Sequence, residues 1–164
     1  LLFRTLIASA EHKVSIATAY FVADEVLTNI LCKAAEKGVA VQVLIPGENS
    51  DSRFSQLGGR ASFKKLLEAG IEIFCYQPTM MHAKVILIDD HIAAVGSANM
   101  NHRSMSKDEE ICLVIDDQET VDTLSSDYQE DIEKSLPIDL KHWKKRSNWV
   151  RIKEAFAHLF RHEL

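Results

Sequence analysis

The sequence contains no apolar run long enough to cross a membrane and no signal peptide. A membrane-spanning helix needs about 18–20 consecutive apolar residues, whereas polar or charged residues interrupt every apolar stretch of this 164-residue chain. Internal repeats and low-complexity segments are also missing. With 46% hydrophobic residues, the composition predicts one globular domain over residues 1–164 with a sizeable core.

Cysteines are few, and their placement argues against metal binding or redox chemistry. Cys32, Cys75 and Cys112 each lie in an apolar run, and no C-x-x-C pair occurs. An odd number of cysteines in such settings predicts buried free thiols in a reducing compartment. His158 and His162 are four residues apart, as in a helical metal pair, but no third ligand accompanies them. We therefore expect no metal and no cofactor.

Positive charge is scarce overall and uneven along the chain. The net charge is −5, and residues 107–133 hold eleven acidic residues against one basic residue. Residues 139–164 hold seven basic residues against three acidic ones, with an apolar stripe at helical spacing formed by Trp149, Ile152, Phe156, Leu159 and Phe160. This segment is either an interfacial helix that meets anionic lipid headgroups or a terminal helix packed on the sheet. The second interpretation is favoured because such stripes usually face a core.

Helix-like and strand-like segments alternate along the chain, which predicts an α/β fold. We expect helices at about 2–11, 25–37, 60–69 and 117–135, and strands at 14–17, 39–45, 71–75, 85–88, 92–95 and 111–115. Asp24 suits a helix N-cap and Gly38 a helix end, and a polar loop is predicted from Pro46 to Gly59. The fold predicted is a mixed β-sheet with helices on both faces, an α-β-α sandwich.

The strongest pattern is H-x-K-x4-D-x6-G-S-x-N, formed by His82, Lys84, Asp89, Gly96, Ser97 and Asn99. Six specified positions fall in register by chance only about once in 10^7 to 10^8. Because His82 and Lys84 are two residues apart in an extended segment, their side chains share one face and can share one small anion. A turn and a second strand should return Ser97 and Asn99 beside His82. The cluster carries no carboxylate that would repel a phosphate.

Two members of the pattern have more local explanations. Gly96 precedes the polar pair, where a missing Cβ lets the backbone approach a ligand closely. Asp89 lies seven residues after His82, an odd offset that turns it to the other face of a strand. Its position at a turn suits capping of backbone N–H groups, so we predict a mostly structural role for it.

The pattern resembles the HKD motif of the phospholipase D superfamily. Its surroundings are similar to the second half of bacterial cardiolipin synthases at residues 19–22, 38–46, 76–81 and 96–104. The resemblance implies a phospholipase D-like fold and phosphodiester transfer on phospholipids of the phosphatidylglycerol type. The histidine would attack phosphorus to form a phosphohistidine, or protonate the leaving alcohol.

The same resemblance assigns roles to individual residues. It implies a catalytic set of His82, Lys84, Asp89 and Glu110, with Lys84, Ser97 and Asn99 binding the phosphate. Glu110 matches an acidic position expected to orient an active-site histidine. Asn101 and Asp108 depart from the cardiolipin synthase pattern, which more often has Asp and Asn there.

Enzymes of this family combine two such motifs, one histidine acting as nucleophile and the other as general acid, whereas this chain has one motif. The chain is therefore interpreted either as the C-terminal half of a two-motif protein or as one copy of a symmetric dimer. The helix-interior character of residues 2–7 favours the first. The resemblance also implies that the full-length protein works at the cytoplasmic face of a bacterial membrane, with this domain itself soluble.

Two other functions stay open at this point. One is a homodimeric nuclease of the same superfamily, which would want a positive groove for nucleic acid; the acidic segment 107–133 speaks against it. The other is a half-domain that completes a partner without turnover of its own. Arg53 and Arg60 in the predicted polar loop are candidates for contact with a lipid or nucleotide headgroup.

Overall fold

The structure is a computed structural model that describes residues 2–49 and 53–144. Its helices are α1 (Leu2–Ser9), α2 (Glu25–Glu36), α3 (Arg53–Glu68), α4 (His102–Ser106), α5 (Gln118–Glu133) and α6 (Leu140–Lys144). Its strands are β1 (Lys13–Thr18), β2 (Ala40–Pro46), β3 (Glu72–Tyr76), β4 (Lys84–Ile88), β5 (Ile92–Gly96), β6 (Cys112–Ile115) and β7 (Ser135–Pro137). The predicted C-terminal apolar stripe and the pair His158 and His162 lie outside the described residues.

All seven strands form one sheet in the order β6-β5-β4-β1-β2-β3-β7. The pairs β1–β2 and β2–β3 are parallel, and the other four neighbouring pairs are antiparallel. The helices α2 and α3 make the two crossovers between the parallel strands, which a tight turn cannot make. The mixed sheet predicted from the sequence is confirmed.

Alternate residues of the strands are buried in two separate cores, one on each face of the sheet. On the first face, Ile16 and Ile86 pack with residues of α1, α2, α3 and α6, among them Leu27, Phe63 and Trp143. On the second face, which we call the α5 face, a smaller core joins α5 to the sheet through Ala17, Leu44, Leu87, Ala93, Val121, Tyr128 and Ile132. Helices on both faces confirm the predicted sandwich.

The expected limits of α2 are also confirmed. The Asp24 side chain accepts a hydrogen bond of 2.7 Å from the Leu27 backbone N–H, as an N-cap does. Gly38 follows the helix with φ +92°, a backbone conformation that glycine adopts without the Cβ clash of other residues. The chain then enters β2, the second of the parallel strands.

The fold differs from the prediction at three segments. The expected polar loop ends early, because α3 begins at Arg53 and runs through Gly58 and Gly59. Gly59 is required there since a Cβ would overlap the backbone oxygen of Phe21. The helix predicted at about 117–135 stops at Glu133. Ser135–Pro137 forms β7 against β3 instead of a last helical turn. The short helix α4 was not predicted.

The cysteines are free thiols, as expected, but only Cys32 is fully buried. Cys75 and Cys112 are half-buried, which corrects the prediction of three buried thiols. Burial raises the pKa of the Cys75 thiol more than the nearby Arg60 lowers it. Within residues 2–49 and 53–144, no three histidine, cysteine or carboxylate side chains are grouped to hold a metal ion, and no helix there has the length and apolarity to span a bilayer.

Candidate active site

The amino end of β4 places His82 and Lys84 at the carboxyl end of β1. Lys84 is the register partner of Thr18 in this antiparallel pair, and the Ala19 N–H extends the ladder by donating to the Ala83 carbonyl at 3.1 Å. His82 is exposed and Lys84 is half-buried. The site therefore lies at the rim of the sheet, where β1 and β4 meet and where solvent has access.

The side chains of His82 and Lys84 lie on the same face and touch, which confirms the prediction from their spacing. Lys84 Nζ lies 2.7 Å from His82 Nδ1 and donates to the His82 carbonyl oxygen at 2.8 Å. An ammonium group has donors only, so Nδ1 accepts in this arrangement and a neutral ring carries its proton on Nε2. The contact thus sets the tautomer of the imidazole.

Tyr20 supplies a second neighbour of the imidazole that sequence reasoning did not assign. Its ring meets His82 edge-on, with centroids 5.8 Å apart and planes at 89°. The position follows from register, because Tyr20 lies two residues past Thr18 and His82 two residues before Lys84. Edge-to-face packing of this kind restricts ring rotation, so Tyr20 helps to hold the imidazole.

The predicted hairpin of β4 and β5 is confirmed and brings the chain back to the first part of the motif; that Ser97 and Asn99 lie beside His82 stays a prediction. Val85 pairs with Val95, so one step further along this register Lys84 lies across from Gly96. The chain after Gly96 then runs beside the end of β1. There the Met100 N–H donates to Thr18 Oγ1 at 3.3 Å, and the Val22 N–H donates to the Met100 carbonyl at 2.8 Å.

Gly96 leaves room for the neighbouring strand β6. This corrects the expectation that the missing Cβ makes room for a ligand. A Cβ on Gly96 would overlap the Ile111 backbone oxygen and lie 2.8 Å from the Cα and the Sγ of Cys112. The register pairs Gly96 with Cys112, so β6 crosses at this point. The glycine therefore allows β6 to begin beside the motif.

Ser97 and Glu110 form one hydrogen-bonded unit. The Ser97 hydroxyl donates to Glu110 Oε2 at 2.5 Å and accepts from the Ile111 N–H at 3.1 Å. The Ser97 N–H also donates to the Ile111 carbonyl at 3.0 Å. Glu110 thus orients the serine hydroxyl through a charge-assisted bond; its expected contact with a histidine stays a prediction.

Asn99 is the most enclosed polar side chain of the motif. It is 9% exposed, and its Oδ1 is buried without a hydrogen-bond partner among the described residues. An unsatisfied buried amide is costly, and rotating the amide by 180° presents its N–H donors at the same position. The side chain is therefore suited to a ligand that brings its own hydrogen-bonding groups.

Asp89 lies at the far end of β4 and caps the chain that enters β1. Its carboxylate accepts from the backbone N–H groups of Glu11, His12 and Lys13 at 2.8, 2.8 and 2.7 Å. Burial alone would raise the pKa of this carboxyl, but the three backbone hydrogen bonds outweigh it and lower the pKa. The predicted capping role is confirmed, and the geometry gives no support to grouping Asp89 with the catalytic residues.

The two departures from the cardiolipin synthase pattern both have structural contacts. Asn101 is 5% exposed and caps α4 by accepting from the Ser104 N–H at 2.9 Å. Asp108 accepts from Arg103 Nε at 3.0 Å through each carboxylate oxygen. These residues fix the segment that follows Asn99, where α4 leads towards Glu110.

A cavity of about 290 Å³ opens at the carboxyl ends of β1, β2 and β3. Ala19 and Phe21, which flank Tyr20, form part of its wall, and Ile45 and Phe63 add apolar surface. Arg60 also lines the cavity, from α3 and not from a loop as expected. The cavity therefore offers a mostly apolar space with one cation, Arg60, and one carboxylate, Glu48, next to the histidine-bearing rim.

Comparisons with known proteins agree with this geometry. Residues 3–132 match the family model described as the phospholipase D-like domain of cardiolipin synthase. The probable cardiolipin synthase YwiE of Bacillus subtilis is 40% identical over 97% of this chain. Cardiolipin synthase 1 of Bacillus anthracis is 38% identical over 94%. The chain spans about a third of the length of these relatives, 32% and 30%.

Solved structures share the fold at low sequence identity. Nuc of Salmonella typhimurium, a phospholipase D family member, has a TM-score of 0.73 and 22% identity over 84% of this chain and 88% of its own. Phosphatidylserine synthase of Haemophilus influenzae has a TM-score of 0.74 and 16% identity over 97% of this chain and 41% of its own. Both structural similarities establish the fold that surrounds the motif.

Proposed function

The chain belongs to the phospholipase D-like domain family of cardiolipin synthases, and we propose that it carries one half of a site for phosphatidyl transfer between phospholipids. The contact of Lys84 Nζ with His82 Nδ1 at 2.7 Å carries this proposal. It places a cation and an imidazole within reach of one phosphate at the exposed rim of the sheet. The 34–40% identity to proteins named cardiolipin synthases supports phospholipid as the substrate.

In the first step, the substrate phosphate draws the Lys84 ammonium away from His82. The neutral ring then changes tautomer: Nε2 gives its proton to solvent, Nδ1 takes one from solvent, and the lone pair freed on Nε2 attacks phosphorus. A phosphorus–nitrogen bond forms, and the bond between phosphorus and the oxygen of the leaving alcohol breaks. For phosphatidylglycerol this alcohol is glycerol, which receives a proton from a general acid.

In the second step, a hydroxyl group of the acceptor attacks the phosphohistidine. The acceptor loses its proton to the group that served as acid, and the phosphorus–nitrogen bond breaks. A second phosphatidylglycerol as acceptor yields cardiolipin, whereas water yields phosphatidic acid. Lys84 and Asn99 would hold the phosphate oxygens in both steps, with Ser97 positioned by Glu110.

The general acid is assigned to the histidine of a second motif. The motif occurs once in the chain, and one imidazole cannot stay bonded to phosphorus while it also transfers protons in line with the opposite oxygen. A second half-site facing the first would supply the acid. It would also bring its own equivalents of Lys84 and Asn99. The two halves would then enclose the phosphate between them.

The cavity beside the rim supports a lipid substrate. Its walls are largely apolar, and Arg60 lies where it would meet a phosphate or a glycerol oxygen. A segment of the diacylglycerol would occupy this space while the phosphate lies at His82. Because such substrates reside in a bilayer, the rim would work against a membrane surface.

Parallel assays on lipid and DNA test the proposal. A protein with both halves of the site, either the two-motif protein or a dimer of this chain, would be incubated with phosphatidylglycerol vesicles and, separately, with plasmid DNA, and the release of glycerol, cardiolipin and phosphatidic acid would be compared with DNA cleavage. We expect lipid turnover, since eleven acids within residues 107–133 oppose DNA binding. DNA cleavage without lipid turnover would favour a nuclease, and a chain inactive on both would favour a non-catalytic half-domain.

A further inference from the structure

The cavity at the carboxyl ends of β1, β2 and β3, which we call the Arg60 cavity, is lined by neighbouring residues of three strands. These are Ile45 of β2, Cys75 of β3 and Leu136 of β7. The register pairs Ile45 with Cys75 and Cys75 with Leu136, so the three form one cross-strand row. Residues of such a row point to one face of the sheet, and Ile45 is buried in the core of the face that α3 covers.

The same row continues to the motif. Thr18 follows the Ala17–Leu44 pair of β1 and β2, so it lies beside Ile45, and it is also the register partner of Lys84. The Arg60 cavity therefore opens on the face of the sheet that carries Lys84. Neighbouring strands are about 4.8 Å apart, which places Ile45, two strands away, about 10 Å from Lys84.

A phosphatidyl group spans this distance. With the phosphate at Lys84, the ester carbonyl oxygens of the lipid lie about six or seven bonds from phosphorus, roughly 7–9 Å in an extended chain at about 1.2–1.5 Å a bond. The cavity measures about 290 Å³, at the lower end of the ~300–1,000 Å³ range of ligand pockets. It therefore suits the glycerol backbone with its ester groups and not two whole acyl chains.

The acyl chains have an apolar path out of the cavity. Leu136 lines the cavity and is 60% exposed, and its strand β7 is the last on this side of the sheet. Pro137 and Ile138 continue the lining along the chain. Apolar surface thus leads from the cavity to the outside of the molecule, where the chains would remain in the bilayer.

The charges of the cavity suit a neutral ligand that accepts hydrogen bonds. Arg60 is half-buried, and no ion pair or hydrogen bond joins its guanidinium to another of the described residues. A guanidinium group has five N–H donors and no acceptor. Glu48 lines the same cavity, and its carboxylate would repel a phosphate. Ester carbonyls satisfy the donors of Arg60 without adding a negative charge.

We propose that the Arg60 cavity recognises the acyl ester groups of the phosphatidyl moiety, with Arg60 donating hydrogen bonds to the ester carbonyl oxygens. This inference rests on the proposed function, which places the lipid phosphate at His82 and Lys84. Recognition at the carbonyls makes the site selective for ester-linked phospholipids. An ether-linked lipid has the same phosphate and chains but lacks the carbonyl acceptors, which leaves the guanidinium donors unsatisfied.

The Cys75 thiol reports occupancy of the cavity without any turnover. It is half-buried, lines the cavity, and lies close enough to Arg60 for the cation to act on its pKa. Methyl methanethiosulfonate would modify the chain with and without dihexanoyl phosphatidylglycerol or its dihexyl ether analogue, and mass spectrometry of the peptides would give the rate at Cys75. Cys112 does not line this cavity and serves as the internal reference.

We expect the diester to protect Cys75 at a concentration at least about 10-fold lower than the diether. Arg60→Met should abolish this difference, whereas Lys64→Met, at an exposed position of the same helix, should keep it. Loss of the cation also changes the intrinsic reactivity of Cys75, so protection is the ratio of the two rates within each variant. Circular dichroism checks that both variants fold.

The outcomes separate the inference from the proposed function. Equal protection by the two lipids in the wild type, an undiminished ester preference in Arg60→Met, or no protection at all would overturn the inference. Protection by glycerol 3-phosphate as strong as by the diester would mark an anion site and overturn it too. If the diester protects Cys75 but a protein with both halves of the site turns over no phosphatidylglycerol, only the proposed function fails.

Discussion

Lys84 Nζ and His82 Nδ1 lie 2.7 Å apart at the exposed rim where β1 and β4 meet. The contact couples the position of a cation to the tautomer of the imidazole beside it. When the ammonium binds a phosphate, it leaves Nδ1. The ring can then carry its proton on Nδ1 and its lone pair on Nε2. A single pair of side chains would therefore both hold the phosphate and prepare the nucleophile.

Replacing Lys84 by Met should remove the cation and retain most of the apolar stem. We expect phosphatidyl transfer to fall by about 10²–10³-fold, the effect of losing one donor to a developing oxyanion, while the melting temperature stays close to that of the wild type. Steady-state kinetics on phosphatidylglycerol measure this. The control is Lys64→Met at an exposed position of α3, and a similar loss in that variant would contradict the assignment.

The hydrogen bond from Ser97 to Glu110 predicts coupled effects. Each of Ser97→Ala and Glu110→Ala should lower turnover, and the double variant should be little worse than either one, because the pair acts as one unit. In unfolding experiments the coupling free energy should be about 1 kcal/mol. Strictly additive effects on both quantities would show that the two side chains act independently.

Adding a methyl group at Gly96 should destabilise the fold through β6. In Gly96→Ala the new Cβ meets backbone atoms of Ile111 and Cys112, which cannot rotate away, so the free energy of unfolding should drop by about 3 kcal/mol or more. Gly70→Ala is the contrast, since Gly70 has φ +85° and open space around it. That variant should lose only about 1 kcal/mol through backbone strain. Equal losses would contradict a steric role for Gly96.

Asp89→Asn should lower stability and leave the turnover of each folded molecule unchanged. The amide accepts fewer hydrogen bonds from the backbone N–H groups of Glu11, His12 and Lys13, at a cost of about 1–3 kcal/mol. Asparagine tolerates the left-handed backbone at this position, where φ is 53°. Urea unfolding and steady-state kinetics would measure the two effects, and a large loss of turnover would favour a catalytic role instead.

The same variant should change the pH dependence of stability. The pKa of Asp89 is lower in the folded protein, so its carboxylate stabilises the fold above about pH 4, the ordinary aspartate pKa. This contribution is lost as the pH falls through the lower folded pKa. The stability difference between wild type and Asp89→Asn should therefore narrow on acidification.

Most of the fold was predictable because the strong apolar strands and the caps of α2 are local signals. Two errors came from residues with tertiary functions. Gly58 and Gly59 interrupt the helical pattern of α3, yet Gly59 is needed for the close approach of Phe21. β7 has three residues and ends in Pro137, which a sheet accepts only at an edge such as the one beyond β3. Neither contact is visible in local sequence.

The features of the site also fall into those that local sequence predicts and those that depend on contacts between distant segments. The shared face of His82 and Lys84 and the capping by Asp89 followed from spacing and turn position. The packing of Tyr20 on His82 required the register of β1 against β4, and the bond from Ser97 to Glu110 required the position of β6. The role of Gly96 was predicted wrongly because the strand that crosses it comes later in the chain.

The most direct test of the central claim compares His82→Ala with His91→Ala on phosphatidylglycerol vesicles. His91 is also exposed, but it lies at the opposite end of the β4–β5 hairpin, where its Nδ1 is 3.1 Å from Gln118 Oε1. We predict that His82→Ala loses at least about 10³-fold in turnover with its fold retained, and that His91→Ala keeps wild-type turnover. A His82→Ala protein that still transfers phosphatidyl groups at near the wild-type rate would contradict the account.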